Sequence, residues 1–460
     1  MAEIKCVSPV NGKIYVTRQA MSKDEALDRI KRSKTAGKAW AARPLAERRD
    51  LVMKAIHQLA THRDEAAEQV AHMMGRPTAQ FFEFNGCIER ATYMADIAEE
   101  ALKPIVAEAS DNFERRIEKE PVGVVFIVAP WNYPFLTTIN SLVPALIAGN
   151  SVIMKHAAQT LIAGELIVKA FDEVGLPTDV LQNVFFDHGT TSELIGEGHF
   201  GFVNFTGSVG GGQAMERAAA GTFTGVGTEL GGKDPAYVMQ DANVDAAVAT
   251  LMDGAFFNAG QCCCGIERVY VHESKFDEFV EKAVAEVSKL KLGNPFEDGS
   301  TIGPMANVRF AQEVRDQIKE ALADGAKALI DPANFPADDG GAYLAPQILV
   351  DVNHDMRVMR DESFGPVVGI MKVSSDEEAI ALMNDSEFGL TASLWTQDVD
   401  RAAEIGAQIE TGTVFMNRCD YLDPAVCWTG CKNTGRGTTL SVLGYNSLTR
   451  AKSYHLKKAL

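Results

Sequence analysis

A chain of 460 residues is too long for one hydrophobic core, so two or three folded units are expected. Hydrophobic residues at 46% and charged residues at 23% exclude a disordered or fibrous protein and fit a globular one. The formal charge of −18, from 44 Lys and Arg against 62 Asp and Glu, argues against a nucleic-acid partner and against an anionic membrane.

In chain order, the first stretch, MAEIKCVSPVNGKIYVT, carries charges and a turn where a secretory signal would carry its apolar run, so export is not expected. From Met21 to about Lys103 the pattern is amphipathic and Ala-rich, with breaks at Arg43-Pro44 and Gly75-Arg76-Pro77, which predicts three helices. VGVVFIVA, Val122 to Ala129, is far short of the roughly 20 residues of a bilayer-spanning helix and reads as a buried strand. A helix from Leu136 to Ala148, the strand SVIMK, a helix from Leu161 to Val174, the strand GFVNFT and an Ala-rich helix from Gln213 follow. After Glu229 the alternation resumes with AYVM, Val244 to Phe257, ERVYV and Lys275 to Lys289. Strand and helix in this order predict a doubly wound, mainly parallel α/β sheet and a second α/β unit, since parallel strands need crossover helices. The boundary is expected near Gly231-Gly232.

Eight cysteines, at positions 6, 87, 262, 263, 264, 419, 427 and 431, form no disulfide framework and suit a reducing, cytoplasmic compartment. The run Cys262-Cys263-Cys264 in NAGQCCCGIERV is not read as a metal site. Three consecutive side chains on a regular backbone diverge, and no C-x-x-C partner or His pair is near. The run then offers core filler, a nucleophile, or both.

FTGSVGGG, residues 205 to 212, lies between a predicted strand and helix, so it is either a dinucleotide cradle or a plain glycine turn; its spacing departs from G-x-G-x-x-G. Asn132 in APWNYPF follows the carboxyl end of a strand, where open α/β sheets bind ligands. It could donate to an oxyanion, or the segment could be a Pro-bounded turn with Trp131 as core. Lys155 points to the same sheet edge. Glu229 in TELGGKDP is a catalytic base or a solvated charge, and Glu362 in RDESFGPVV sits beside a Phe-Gly-Pro turn.

Taken in order, APWNYPF, VIMK, FTGS, ELGGK, FFNAGQCC and DESFGPVV resemble the motif set of the NAD(P)-dependent aldehyde dehydrogenase superfamily. The likeness extends from SPVNGK near the start to NRCDY and TGCKNTGRG near the end. It implies a doubly wound dinucleotide-binding domain (1–105 and 122–230), an α/β catalytic domain (231–435), and a small β oligomerisation arm with a carboxyl-terminal strand (106–121 and 436–460). Arm strands are expected at Asn112 to Glu120 and Lys452 to Lys457, in a homodimer or homotetramer.

The resemblance also implies chemistry. Cys263, second after the Gly-Gln pair, attacks an aldehyde; Asn132 and the Cys263 N–H hold the oxyanion; hydride passes to NAD or NADP. Glu229 then activates the water that hydrolyses the thioester, and the separation 263 − 229 = 34 matches the family's. Lys155 is implied to contact the adenosine ribose, Glu362 the nicotinamide ribose, Gly207, Ser208 and Gly212 the pyrophosphate, with Trp131 and Phe364 as pocket walls. No metal is implied.

Two departures stand out. Ala158 replaces a glutamate that would repel a 2′-phosphate, which leaves both cofactors open, and Cys427 to Lys432 replaces the usual Pro-Phe-Gly-Gly-x-Lys. Arg418 is a partner for an acidic substrate such as a semialdehyde, or an ordinary surface arginine. A coenzyme A-acylating enzyme is the alternative within the family, against which Glu229 speaks; a non-catalytic protein on this scaffold would have lost Cys263 or Glu229.

Overall fold

Val124–Ala129, six consecutive apolar residues buried on both faces, occupies the middle of a five-stranded parallel sheet. Ser151–His156 and Leu181–Asn183 lie on one side of it, Phe202–Thr206 and Gly225–Glu229 on the other. The direction of winding therefore reverses between Val124–Ala129 and Phe202–Thr206, and the crevice outside their carboxyl ends is where such sheets bind ligands. APWNYPF and FTGS are the loops that leave those two strands. The computed structural model describes residues 2–108 and 110–458; Met1, Ala109, Ala459 and Leu460, which fall in the ranges assigned above to the first domain and the arm, lie outside the described residues.

A seven-stranded sheet follows, in the order Lys327–Ala328, Gln347–Val350, Val367–Val373, Ile266–His272, Asp234–Val238, Thr391–Trp395, Thr413–Met416. Only Lys327–Ala328 runs antiparallel. Gly231 and Gly232 lie between the last strand of the first sheet and Asp234–Val238. Phe113–Pro121 pairs antiparallel with Thr449–Lys457 on one edge and with Ile105–Val106 on the other, making a separate three-stranded sheet. No helix among the described residues is long and apolar enough to cross a membrane.

The amino-terminal helices differ from expectation. The break at Gly75 is a left-handed cap (φ 87°), which glycine adopts without a Cβ penalty. A further break at His62, however, splits the middle segment into Leu45–Thr61 and Arg63–Met74, and Glu83–Asp96 is followed by a separate short helix, Ala98–Leu102. Likewise the helix expected from Gln213 begins at Val209 and contains three glycines. Packing outweighs their poor helix propensity: a Cβ on Gly211 would lie 2.4 Å from the Phe205 ring, and one on Gly212 would lie 2.7 Å from Leu230. Leu136–Ile147 is apolar nearly all round and buried almost throughout, as a helix sandwiched between layers must be.

Candidate active site

One buried ion pair fixes the loops on either side of the crevice. Arg76 Nη1 donates to Glu83 Oε1 at 2.7 Å, with both side chains wholly buried. Its Nε donates to Asn258 Oδ1 at 3.0 Å and its Nη2 to the Asn132 carbonyl. The other oxygen of Glu83 accepts the Phe135 and Leu136 N–H groups at 3.0 and 2.9 Å, which satisfies donors at the amino end of Leu136–Ile147. Asn132, 4% exposed, is thereby held by its backbone, and among the described residues its side-chain amide makes no hydrogen bond.

The approach to the cysteines is equally constrained. Asn258, Ala259 and Gly260 have φ of 55°, 55° and 71°. Gln261 clamps the bend, its Nε2 donating to the Asn258 carbonyl and its Oε1 accepting Ala306 N–H. A Cβ on Gly260 would sit 2.2 Å from the Gly365 carbonyl, so this loop and the SFGP loop touch backbone to backbone.

The three thiols sit on a turn closed by Gly265 N–H to the Cys262 carbonyl, and their sulfurs lie within 4.8 Å of one another. The premise that consecutive cysteines diverge fails here because the backbone is a turn, not a strand or helix. Cys262 and Cys264, the latter 1% exposed, both donate to Asp420 Oδ1, at 3.1 and 2.9 Å. Cys263 is the one partly exposed. The adjacent Cys262 and Cys264 thiols lower the pKa of Cys263 to about 6, while Cys262 is pushed up to about 12 and Cys264 well above the ordinary thiol value. Ionisation thus falls on the middle sulfur, whose neighbours keep their protons.

Glu229 closes the strand Gly225–Glu229 and is 8% exposed. Burial pushes its carboxyl up to about 7 against the opposing effects of Thr439 Oγ1, which donates to Oε1 at 2.6 Å, and of the Arg90 charge. A carboxyl that titrates near neutrality suits a general base.

Two cavities meet at this point. Thr206, Glu229, Leu230 and Cys263 line both. The first, about 230 Å³, is also walled by Trp131, Asn132, Gly207, Ser208, Glu362 and Phe364, so with Glu229 and Cys263 eight of the residues singled out from the sequence converge there. Phe310, which no motif pointed to, stacks on Trp131 with ring centroids 5.3 Å apart, and Phe364 meets Trp131 edge-on at 5.4 Å. Glu362 accepts Gly232 N–H at 3.0 Å, and burial together with the Glu267 charge pushes its carboxyl up to about 8. Lys155 and Gly212 line neither cavity. Lys155 is buried at the end of Ser151–His156, its pKa lowered by desolvation and partly restored by Asp187. Gly212 packs on Leu230.

These features fit a dinucleotide. Ser208 caps Val209–Ala219, accepting Gly211 N–H at 3.3 Å, and a Cβ on Gly207 would lie 2.8 Å from the Phe205 ring. A helix amino terminus flanked by glycines, with one N–H taken by Ser208, is thus presented to the crevice, as a pyrophosphate requires.

The second cavity, about 360 Å³, takes most of its walls from residues to which no motif assigned a role, including Arg90, Leu136, Asn140, Asp420 and Tyr421. Trp428, from the unusual loop, lines it as well. Arg418 does not; it is exposed, its guanidinium 3.3 Å from the Tyr421 ring centroid.

The sequence model described as "Aldehyde dehydrogenase family" matches residues 1–454. An aldehyde dehydrogenase of Paenarthrobacter nicotinovorans is 33% identical over 98% of this chain and 99% of its own. A succinate semialdehyde dehydrogenase of Escherichia coli, named for NAD(P)+, is 32% identical over 84% of this chain and 83% of its own. Among solved structures, succinic semialdehyde dehydrogenase from Streptococcus pyogenes in complex with NADP+ superposes with a TM-score of 0.93 at 29% identity, covering 99% of this chain and 100% of that one.

Proposed function

The chain belongs to the aldehyde dehydrogenase family, which oxidises aldehydes to acids with NAD or NADP, and from that premise we propose that Cys263, Glu229 and Asn132 carry the reaction. The observation that supports this most is that Cys263 and Glu229 belong to the wall shared by the two cavities. A sulfur there is open to an aldehyde from one side and to a cofactor from the other.

Cys263, ionised above a pH of about 6, attacks the aldehyde carbon and forms a thiohemiacetal. The unbonded Asn132 amide and the Cys263 N–H donate to the developing oxyanion, and the Arg76 network holds that donor in place without spending it. A nicotinamide held in the smaller cavity would accept the hydride whose loss leaves a thioester on Cys263. Glu229, as carboxylate, removes a proton from water; the hydroxide adds to the thioester carbon, the C–S bond breaks, and a carboxylic acid leaves Cys263 as thiolate. Gly207, Ser208 and the start of Val209–Ala219 take the pyrophosphate, Glu362 the nicotinamide ribose and Lys155 the adenosine ribose. Trp131, Phe310 and Phe364 wall the ring's pocket, and Gly212 lets the helix close on Leu230.

Glu229→Gln tests the reading. With cofactor and aldehyde present, intact mass should show a covalent acyl adduct on Cys263 and steady-state turnover should fall by about 10²- to 10⁴-fold. Unimpaired turnover with no adduct would remove Glu229 as the base.

We further propose that the three-stranded sheet is an assembly arm serving a dimer or tetramer, its outer strand Thr449–Lys457 having no second neighbour among the described residues. The division into 1–105 with 122–230, 231–435, and 106–121 with 436–460 is proposed on the same footing. Eight free cysteines support a cytoplasmic setting.

A further inference from the structure

Arg90 is a buried charge without an ionic partner. It lies on Glu83–Asp96, is 6% exposed, and lines the larger cavity together with Cys263 and Glu229. Its Nη1 donates to Asn140 Oδ1 at 3.0 Å and more distantly to the Leu136 carbonyl. Among the described residues nothing accepts from Nε or Nη2, and no carboxylate forms an ion pair with the guanidinium. Those two atoms form one edge of the fork, the edge that receives a carboxylate side-on through two parallel bonds.

The rest of the cavity offers no competing cation. Of its acids, Glu229 and Asp420 have carboxyls pushed up by burial, and Glu89, at the exposed rim, accepts from the Tyr421 hydroxyl. Asn140, which anchors Nη1, leaves its own Nδ2 without a partner. Glu229 and the Cys263 sulfur act on the guanidinium only through space, so a buried cation is left with no hydrogen-bonded anion, a cost that a carboxylate entering the cavity would relieve. Arg76, nearby in sequence, shows the contrast, since all three of its nitrogens are bonded within the protein.

We propose that Arg90 is the receptor for a carboxylate at the far end of the substrate, which makes that substrate an aldehyde carrying an acid group. The free Nε–Nη2 edge holds the carboxylate while the aldehyde end lies against Cys263 on the same cavity wall. This rests on the assignment of Cys263 as the reacting sulfur.

The test compares two oxo-acids, 4-oxobutanoate and 6-oxohexanoate, with their methyl esters, which keep the aldehyde and remove the charge. In the wild type, kcat/KM should favour the acid of at least one length by about 10- to 100-fold, mostly through KM, as charged hydrogen bonds of this kind predict. Arg90→Met should bring acid and ester within a few-fold of each other. Equal wild-type efficiency for both pairs, or a preference that survives in Arg90→Met, overturns the receptor and leaves the thiol chemistry standing. If Arg90 serves only to favour the Glu229 carboxylate, the substitution slows acid and ester alike and the ratio holds, which also overturns it. Failure of the wild type to oxidise either kind of aldehyde overturns the proposed function itself, and the receptor with it. A measurement free of any variant is inhibition of wild-type ester oxidation: the dicarboxylate matching the preferred oxo-acid, succinate or adipate, should compete about 10-fold better than its dimethyl ester, and equal inhibition overturns the proposal.

Discussion

The two cavities that meet at Cys263 are built on opposite principles. On the cofactor side the walls are aromatic and, the Asn132 amide apart, the buried polar groups are held: Glu362 accepts from Gly232, while Glu267 holds Lys233 and the backbone N–H groups of Ser363 and Phe364. On the aldehyde side one edge of the Arg90 guanidinium and the Asn140 amide nitrogen are left unpaired among the described residues. The first is a mould whose shape is complete before anything binds. The second keeps polar groups in reserve, so its affinity resides in what the ligand brings.

The largest effect belongs to the wall common to both. Cys263→Ser should lower kcat by about 10⁴-fold or more, as loss of a nucleophile does, while cofactor binding, followed by quenching of intrinsic fluorescence, persists. A full-rate variant would place the sulfur chemistry elsewhere and dissolve the contrast. Next comes the ion pair that positions both sides: Arg76→Met strands Glu83 in the core and should cost about 3–5 kcal/mol in urea denaturation. A loss below about 1 kcal/mol would mean the pair is dispensable. Asn132→Ala should lower kcat by about 10²-fold with folding intact; an unchanged kcat removes the side-chain donor from the oxyanion site.

The smallest effect sharpens the electrostatics. The base must be ionised, and Glu229 titrates near 7, above Cys263 near 6, so turnover should rise with pH along a limb set by Glu229. The Thr439 hydroxyl favours the carboxylate; removing it in Thr439→Val leaves the proton more tightly bound, and the limb should move to higher pH with kcat on the plateau changed only a few-fold. An unmoved limb would show that another group sets it.

The walls of the smaller cavity were readable in the sequence because Trp131, Asn132, Gly207 and Ser208 lie in turns that directly follow strands, where a short motif and a sheet edge coincide, and Glu362 and Phe364 lie in a turn that a proline and a glycine mark. The aldehyde side was not, because Arg90, Asn140, Asp420 and Trp428 come from separate segments that only tertiary packing unites. Nothing local distinguishes Arg90 from the surface arginines of other helices, and Arg418, which lies within a recognised segment, stands outside the cavity. Sequence periodicity likewise missed the break at His62, which has neither glycine nor proline. It also placed the start of Val209–Ala219 too late, because contacts with Phe205 and Leu230 outweigh the cost of three glycines. The cysteine triplet was misjudged in geometry for a similar reason: convergence of the sulfurs depends on a turn that residue identity does not announce.

Thr439, which steadies Glu229, precedes Tyr445, whose hydroxyl donates to the Met94 carbonyl on the helix that carries Arg90, and the chain then runs directly into Thr449–Lys457. The base and the substrate helix are thus moored to a single tail that ends as the rim of the outlying ribbon. A protease nick between Thr439 and Tyr445 would part those two anchors while sparing every group that touches the reactants, so the unbroken tail couples the base to the helix across the cavity.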